Sequence, residues 1–304
     1  MSSLHDAIRP TTFLKPEALS ERLGIDLTIA TETFQRTGSF KFRAAYNTAL
    51  NAESDHLITA SSGNFGQALA LACRLLGKRC HVVMPETSAK VKIDAVRSHG
   101  AEVELIDVSK IGREERVDQL VAEFPEAYRA SAYDDDHVIE GNSTLGDEIA
   151  ARADFDAVIT PVGGGGLISG ISKGLCRANR KAELIGAEPL LGNDAARSLA
   201  AGKLIRNEEE PKTIADGART ISLGKRNWEI VRNGVSRIIE VPEDRIREAV
   251  VRYFLDVNLK VEPTGALSLG ALFGIAEELE GRQVCCIVSG GNVDPKIYAE
   301  IISQ

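Results

Sequence analysis

Four consecutive glycines, Gly163, Gly164, Gly165 and Gly166, stand between the β-branched run Ala157-Val158-Ile159-Thr160 and an apolar stretch over 167–175. Such a run costs backbone entropy on folding, and it is useful where the main chain must approach something closely. A strand, a glycine loop and a helix start together aim several N–H groups at one point, which is how a phosphate is held. The loop matches neither GxGxxG followed by an acid nor GxxxxGK[ST], so neither a dinucleotide nor a nucleoside triphosphate follows. A second candidate is Lys41, set between Phe40 and Phe42 in Thr37-Gly38-Ser39-Phe40-Lys41-Phe42-Arg43. An ammonium in apolar surroundings loses its proton more readily, and the free amine is a nucleophile. The third is Ser61-Ser62-Gly63-Asn64, a polar turn between a strand and a helix, whose serines and asparagine also suit ordinary helix capping. The fourth is Ser289-Gly290-Gly291-Asn292, where an apolar run ends in glycines.

These groups need a scaffold, and the pattern of the chain supplies one. Short apolar runs at 57–59, 80–84, 102–106, 157–160, 184–187 and 284–288 alternate with helix-like segments at 65–76, 88–99 and 243–258. Runs that are apolar on both faces belong to parallel sheets covered by helices, so the expectation is an α/β protein of two lobes with its site in the crevice. The polar stretches Tyr133-Asp134-Asp135-Asp136 and 206–211 read as surface loops. Lys and Arg total 36 against 44 Asp and Glu, a net charge of −8, which argues against a nucleic-acid partner. No apolar stretch is long enough to span a membrane, and the first residues lack a secretory pattern. Five cysteines without a CxxC pair read as reduced thiols of a cytoplasmic protein.

Taken in order, SFKFR, SSGNFGQALA, PVGGGGLISG, Ala187-Glu188-Pro189, TIADG at 213–217, VEPTGA at 261–266 and SGGNVD resemble one group of proteins. They are the serine/threonine dehydratases and serine racemases among the fold-type II pyridoxal-phosphate enzymes. The resemblance covers nearly the whole chain. It implies a tryptophan-synthase-β-like α/β fold of mostly parallel sheets flanked by helices. A large cofactor-binding lobe (1–55 and 134–304) and a small lobe (56–133) would hold pyridoxal 5'-phosphate in the cleft between them. By the same resemblance Lys41 forms the internal aldimine and Phe40 packs on the ring. Asn64 meets the ring hydroxyl, Gly163 to Gly166 hold the phosphate, and Ser289 faces the pyridine nitrogen. Ser61, Ser62, Gly63 and Asn64 would receive the substrate carboxylate. The implied activity is β-elimination from a β-hydroxy or otherwise β-substituted amino acid, giving a 2-oxo acid and ammonia. Racemisation with Lys41 and Ser62 as opposed bases is the alternative, ahead of β-replacement or a non-catalytic cofactor-binding role. A small amino-acid substrate and a homodimer also follow from the resemblance.

The sequence departs from the group's pattern at three places. Phe65 stands where many members have histidine, and Ala30 where they have lysine. Glu140-Gly141-Asn142-Ser143-Thr144 replaces Ala-Gly-Gln-Gly-Thr. On that last change Glu140 is expected in a loop ahead of a helix at 146–153, beside the substrate side chain, favouring a polar or cationic distal group. Glu188, Gly192 and Asp194 fall where some relatives bind a cation. Two carboxylates and a carbonyl would suit a structural Mg²⁺ or Ca²⁺.

Overall fold

The computed structural model of the chain describes residues 3–303. Among the described residues ten strands form two sheets: β1 (Thr12–Leu14), β2 (Asp26–Thr31), β3 (His56–Ala60), β4 (Arg79–Pro85), β5 (Glu102–Ile106), β6 (Tyr128–Arg129), β7 (Ala157–Pro161), β8 (Glu183–Pro189), β9 (Arg237–Val241) and β10 (Gln283–Val288). The six-stranded sheet runs β1-β2-β10-β7-β8-β9 and the four-stranded sheet β5-β4-β3-β6. Every pairing is parallel except β1 with β2. The small sheet takes all its strands from 56–129, and the large sheet takes its strands from either side of that segment.

All six apolar runs are strands, and the three helix-like segments are the helices Asn64–Leu76, Lys90–Ser98 and Glu243–Val257. The large sheet is apolar on both faces. Leu27, Ile29, Ile159 and Val288 pack under the helices Glu243–Val257 and Pro263–Ile275, while Val158, Cys285 and Ile287 face the helix Gly166–Arg177. The small sheet is covered in the same way by Asn64–Leu76 and by Arg113–Glu123. Helices on both faces exclude water from the central strands, as is usual for parallel sheets, whereas the edge strand β5 leaves Glu102 and Leu105 exposed.

The structure differs from expectation at 136–152. Instead of a loop followed by a short helix, one helix runs from Asp136 to Arg152, with the Asp135 carboxylate accepting from the His137 N–H at 2.7 Å. Gly141-Asn142-Ser143-Thr144 has weak helix propensity, and tertiary packing overrides it. Gly141 lies so close to the helix Lys41–Asn51 that a Cβ there would come 2.5 Å from the Arg43 carbonyl oxygen. On its other side, Gly170 and Gly174 of the next helix let Asn142 and Ser143 approach backbone to backbone.

Candidate active site

The C-terminal ends of β3, β7 and β10 open into one cavity of about 950 Å³ between the two sheets. It is lined by Phe40, Lys41, Ser61, Ser62, Gly63, Asn64, Gly163, Gly164, Gly165, Gly166 and Ser289. Four segments far apart in sequence thus meet at one place, in the crevice where the site is expected.

Lys41 is the first residue of the helix Lys41–Asn51. The segment before it is tied to the end of β10, with the Phe40 N–H donating to the Ser289 carbonyl at 2.9 Å and Ser39 bridging to Gly290. The Lys41 Nζ donates to the Ala132 carbonyl at 2.7 Å and sits over the rings of Phe40 and Phe65 at 5.0 and 5.8 Å. Burial lowers its pKa to about 8, against a smaller upward pull from the Glu262 carboxylate. Of the two flanking phenylalanines only Phe40 borders the amine, since Phe42 is fully buried in the apolar cluster where the helix Lys41–Asn51 packs on the helix Asn64–Leu76. The second ring comes from Phe65, one of the departures from the group's pattern. Arg43, two residues after the lysine, is also fully buried. Its guanidinium donates to Glu32 at 2.7 Å, to Glu148 at 2.8 Å and to Thr144 at 3.0 Å, which fixes the start of the Lys41 helix.

The glycine loop follows β7 and enters the twelve-residue helix Gly166–Arg177. Gly165 has φ +91°, and a Cβ on Gly164 would lie 2.3 Å from the Tyr133 ring. The Asn227 side-chain amide pins the loop, donating to the carbonyls of Gly164 at 2.8 Å and Tyr133 at 2.9 Å. This is a cradle that only glycine fills, at the N-terminus of a helix, and it suits a phosphate. The Ser289 hydroxyl is buried and without a hydrogen-bond partner among the described residues. A pyridine nitrogen would satisfy it. The residues present therefore fit pyridoxal phosphate, with the glycine loop for its phosphate, Lys41 for its carbonyl carbon and Ser289 for its ring nitrogen.

The turn after β3 divides its work. The Ser61 hydroxyl accepts from the Gly66 N–H in the first turn of the helix at 3.0 Å, and both Ser61 and Ser62 line the cavity. The Asn64 amide donates to both Glu262 oxygens at 2.9 and 3.1 Å and accepts from Asn292 at 2.8 Å.

Glu140 is not in the cavity. It lies on the outer face of the helix Asp136–Arg152, about half exposed, and pairs with Arg177 at 2.5 Å and Lys173 at 3.7 Å. Once 136–152 is helical, its neighbour is the helix Gly166–Arg177 and not the substrate, so the inference of a cationic distal group loses its basis. Glu188 and Asp194 are buried, and their oxygens are used by the protein. Glu188 accepts from the N–H groups of Ala195 and Ala196, and Asp194 from Leu223 N–H and Asn207. Gly192 is buried in the turn Leu190–Gly192. No cluster of three or more His, Cys, Asp or Glu side chains able to hold a metal occurs among the described residues.

Sequence reasoning missed Tyr133, which covers the glycine loop, and the role of Glu262. VEPTGA marks the position of Glu262, but nothing in the motif says that its carboxylate turns into the cavity. It also missed the cations of the cleft wall, among them Arg113, Arg206 and Arg219. No helix among the described residues is long and apolar enough to cross a membrane.

Comparison with known proteins agrees with this geometry. The chain is 36% identical over 308 residues to the L-threo-3-hydroxyaspartate ammonia-lyase of Saccharomyces cerevisiae, covering 99% of this chain and 93% of that one. It is 33% identical to the serine racemase of Schizosaccharomyces pombe, covering 97% and 92%. The crystal structure of the T.th. threonine deaminase superposes with a TM-score of 0.90 at 37% identity, covering 96% and 95%. The family described as pyridoxal-phosphate dependent enzyme matches residues 4–290. With its glycine cradle, enclosed lysine and unsatisfied serine in one cleft, the chain belongs to the pyridoxal-phosphate dependent enzymes.

Proposed function

We propose that the chain is an ammonia-lyase that eliminates the β-hydroxyl of a 3-hydroxy amino acid carrying a second carboxylate. The water lost in the elimination is matched by the water that hydrolyses the imino acid, so the net products are a 2-oxo dicarboxylic acid and ammonia. The observation that carries this reading is the charge of the cleft. Eight Lys and Arg line it against five Asp and Glu, in a chain whose net charge is −8. Arg206 makes no ion pair among the described residues, and its guanidinium reaches only the Ser222 hydroxyl, at 3.5 Å. A guanidinium without a carboxylate partner in a substrate cleft suits a substrate that brings one. The name of the Saccharomyces cerevisiae relative supports the same substrate class.

Bound pyridoxal phosphate supplies the electron sink that makes the substrate Cα–H acidic. The protein's part is to hold and move protons around it. Lys41, with a pKa lowered to about 8, gives up its proton far more readily than an ordinary lysine, and its free amine, which predominates above about pH 8, is able to take the Cα proton. The turn Ser62-Gly63-Asn64 offers polar groups to the α-carboxylate. Racemisation is the second reading, favoured by the Ser62 hydroxyl lining the same cavity as Lys41. The cation site at Glu188, Gly192 and Asp194 is a secondary proposal. The two buried carboxylates carry adjacent negative charge that a divalent ion would offset, and added Mg²⁺ or Ca²⁺ should then raise the melting temperature.

The test is kcat/KM for L-threo-3-hydroxyaspartate, L-serine and L-threonine, followed by release of 2-oxo acid and ammonia, in wild type, Arg206→Ala and Ser62→Ala. The dicarboxylic substrate should be preferred, and Arg206→Ala should reduce that preference. Ser62→Ala should leave elimination in place and remove any racemisation. Preference for serine in the wild type would overturn the reading.

A further inference from the structure

We propose that Glu262 is a positioning residue of this site, which orients the Asn64 amide and keeps a negative charge beside the Lys41 amine. The inference rests on the assignment of Lys41 as the reactive amine, but not on the identity of the substrate.

Glu262 precedes the helix Pro263–Ile275 and is 4% exposed, yet it lines the cavity that holds Lys41. A carboxylate is costly to bury unless it is bonded and offset by charge. Both its oxygens accept from the Asn64 Nδ2, at 2.9 and 3.1 Å. An ionised carboxylate only accepts hydrogen bonds, so it dictates which end of the Asn64 amide faces it. The other end, Oδ1, accepts from Asn292 Nδ2 at 2.8 Å, and Asn292 in turn donates to the Thr37 carbonyl at 2.6 Å. The chain Glu262, Asn64, Asn292 and Thr37 therefore joins the small sheet's lobe to the segment that carries Lys41. Gly290 has no side chain where one would meet the carboxylate, since a Cβ there would lie 2.9 Å from Glu262 Oε1.

The charged groups around Glu262 oppose one another. Burial and the Asp216 carboxylate raise its pKa to about 7, while Asn64, Lys92 and the Asn292 backbone N–H act in the other direction. Lys92 is itself paired with Asp216 at 2.6 Å. On Lys41 the Glu262 charge acts upward against burial. As pH falls below about 7, Glu262 takes up a proton and its hold on the Lys41 ammonium is lost. As pH rises above about 8, Lys41 is a free amine beside a fixed negative charge.

The experiment follows the pH dependence of Lys41 acetylation by acetic anhydride, read by peptide mass spectrometry on the full chain stripped of cofactor with hydroxylamine. Glu262→Gln keeps the size and an acceptor oxygen but removes the charge. It should shift the Lys41 midpoint downward by on the order of 1 unit, the effect of one nearby buried charge. An unchanged midpoint in a folded Glu262→Gln chain would overturn the proposal. Should that variant not fold, the reciprocal measurement decides. By linkage, Lys41→Met must raise the titration midpoint of the Glu262 carboxyl in infrared difference spectra, and no shift there would equally overturn it. A chain that shows the shift but does not act on 3-hydroxyaspartate would refute the substrate reading and leave this one standing.

Discussion

Replacing Gly164 by alanine tests whether the glycine loop is the seat of the cofactor phosphate. The added Cβ would lie 2.3 Å from Cγ and Cδ2 of Tyr133 and 2.7 Å from Cδ1. Ordinary carbon–carbon contact begins at about 3.5 Å, so ring and loop must separate by roughly 1 Å. Tyr133 has little room to yield. Its carbonyl is held by Asn227 at 2.9 Å, and its own backbone lies against Gly166. Overpacking of this kind costs about 1–3 kcal/mol. If the phosphate binds only to the loop in its present shape, that cost opposes binding, and at about 1.4 kcal/mol per decade cofactor affinity should fall by roughly 5- to 150-fold. The assay is equilibrium titration of the stripped chain with pyridoxal phosphate, with the melting temperature recorded in parallel. Gly274→Ala is the control, because a Cβ there meets nothing within 4 Å. Gly164→Ala binding the cofactor with wild-type affinity would show that the phosphate sits elsewhere.

Two residues outside the cavity are also open to test. Glu140→Ala should leave the ranking of substrates unchanged and alter stability by no more than about 1 kcal/mol, as for exposed ion pairs, measured by parallel kinetics and denaturant unfolding. A changed ranking would return Glu140 to the substrate pocket. Arg43→Met should destabilise by about 3–5 kcal/mol, because it leaves Glu32 buried without its cation, and the loss is read as a lower unfolding midpoint.

Strands buried on both faces must be apolar throughout, and a main chain that approaches a phosphate must lack side chains. Both demands leave marks in composition, so five of the six strand runs and the glycine cradle are legible before any folding, while the run at 102–106 is a partly exposed edge strand. Lys41, Asn64 and Ser289 stand out only through the resemblance of their motifs to one family, since each motif taken alone also serves a local need. Which way a polar side chain turns is a different matter. Glu140 and Glu262 are both glutamates in recognisable motifs, and the sequence points to Glu140 as the one beside the substrate. Close packing of glycines between two helices makes 136–152 helical and carries Glu140 outward to Arg177. The start of the helix Pro263–Ile275 turns Glu262 inward to Asn64, 198 residues away in the chain. The direction of a side chain depends on contacts between segments distant in sequence, and no local pattern encodes those.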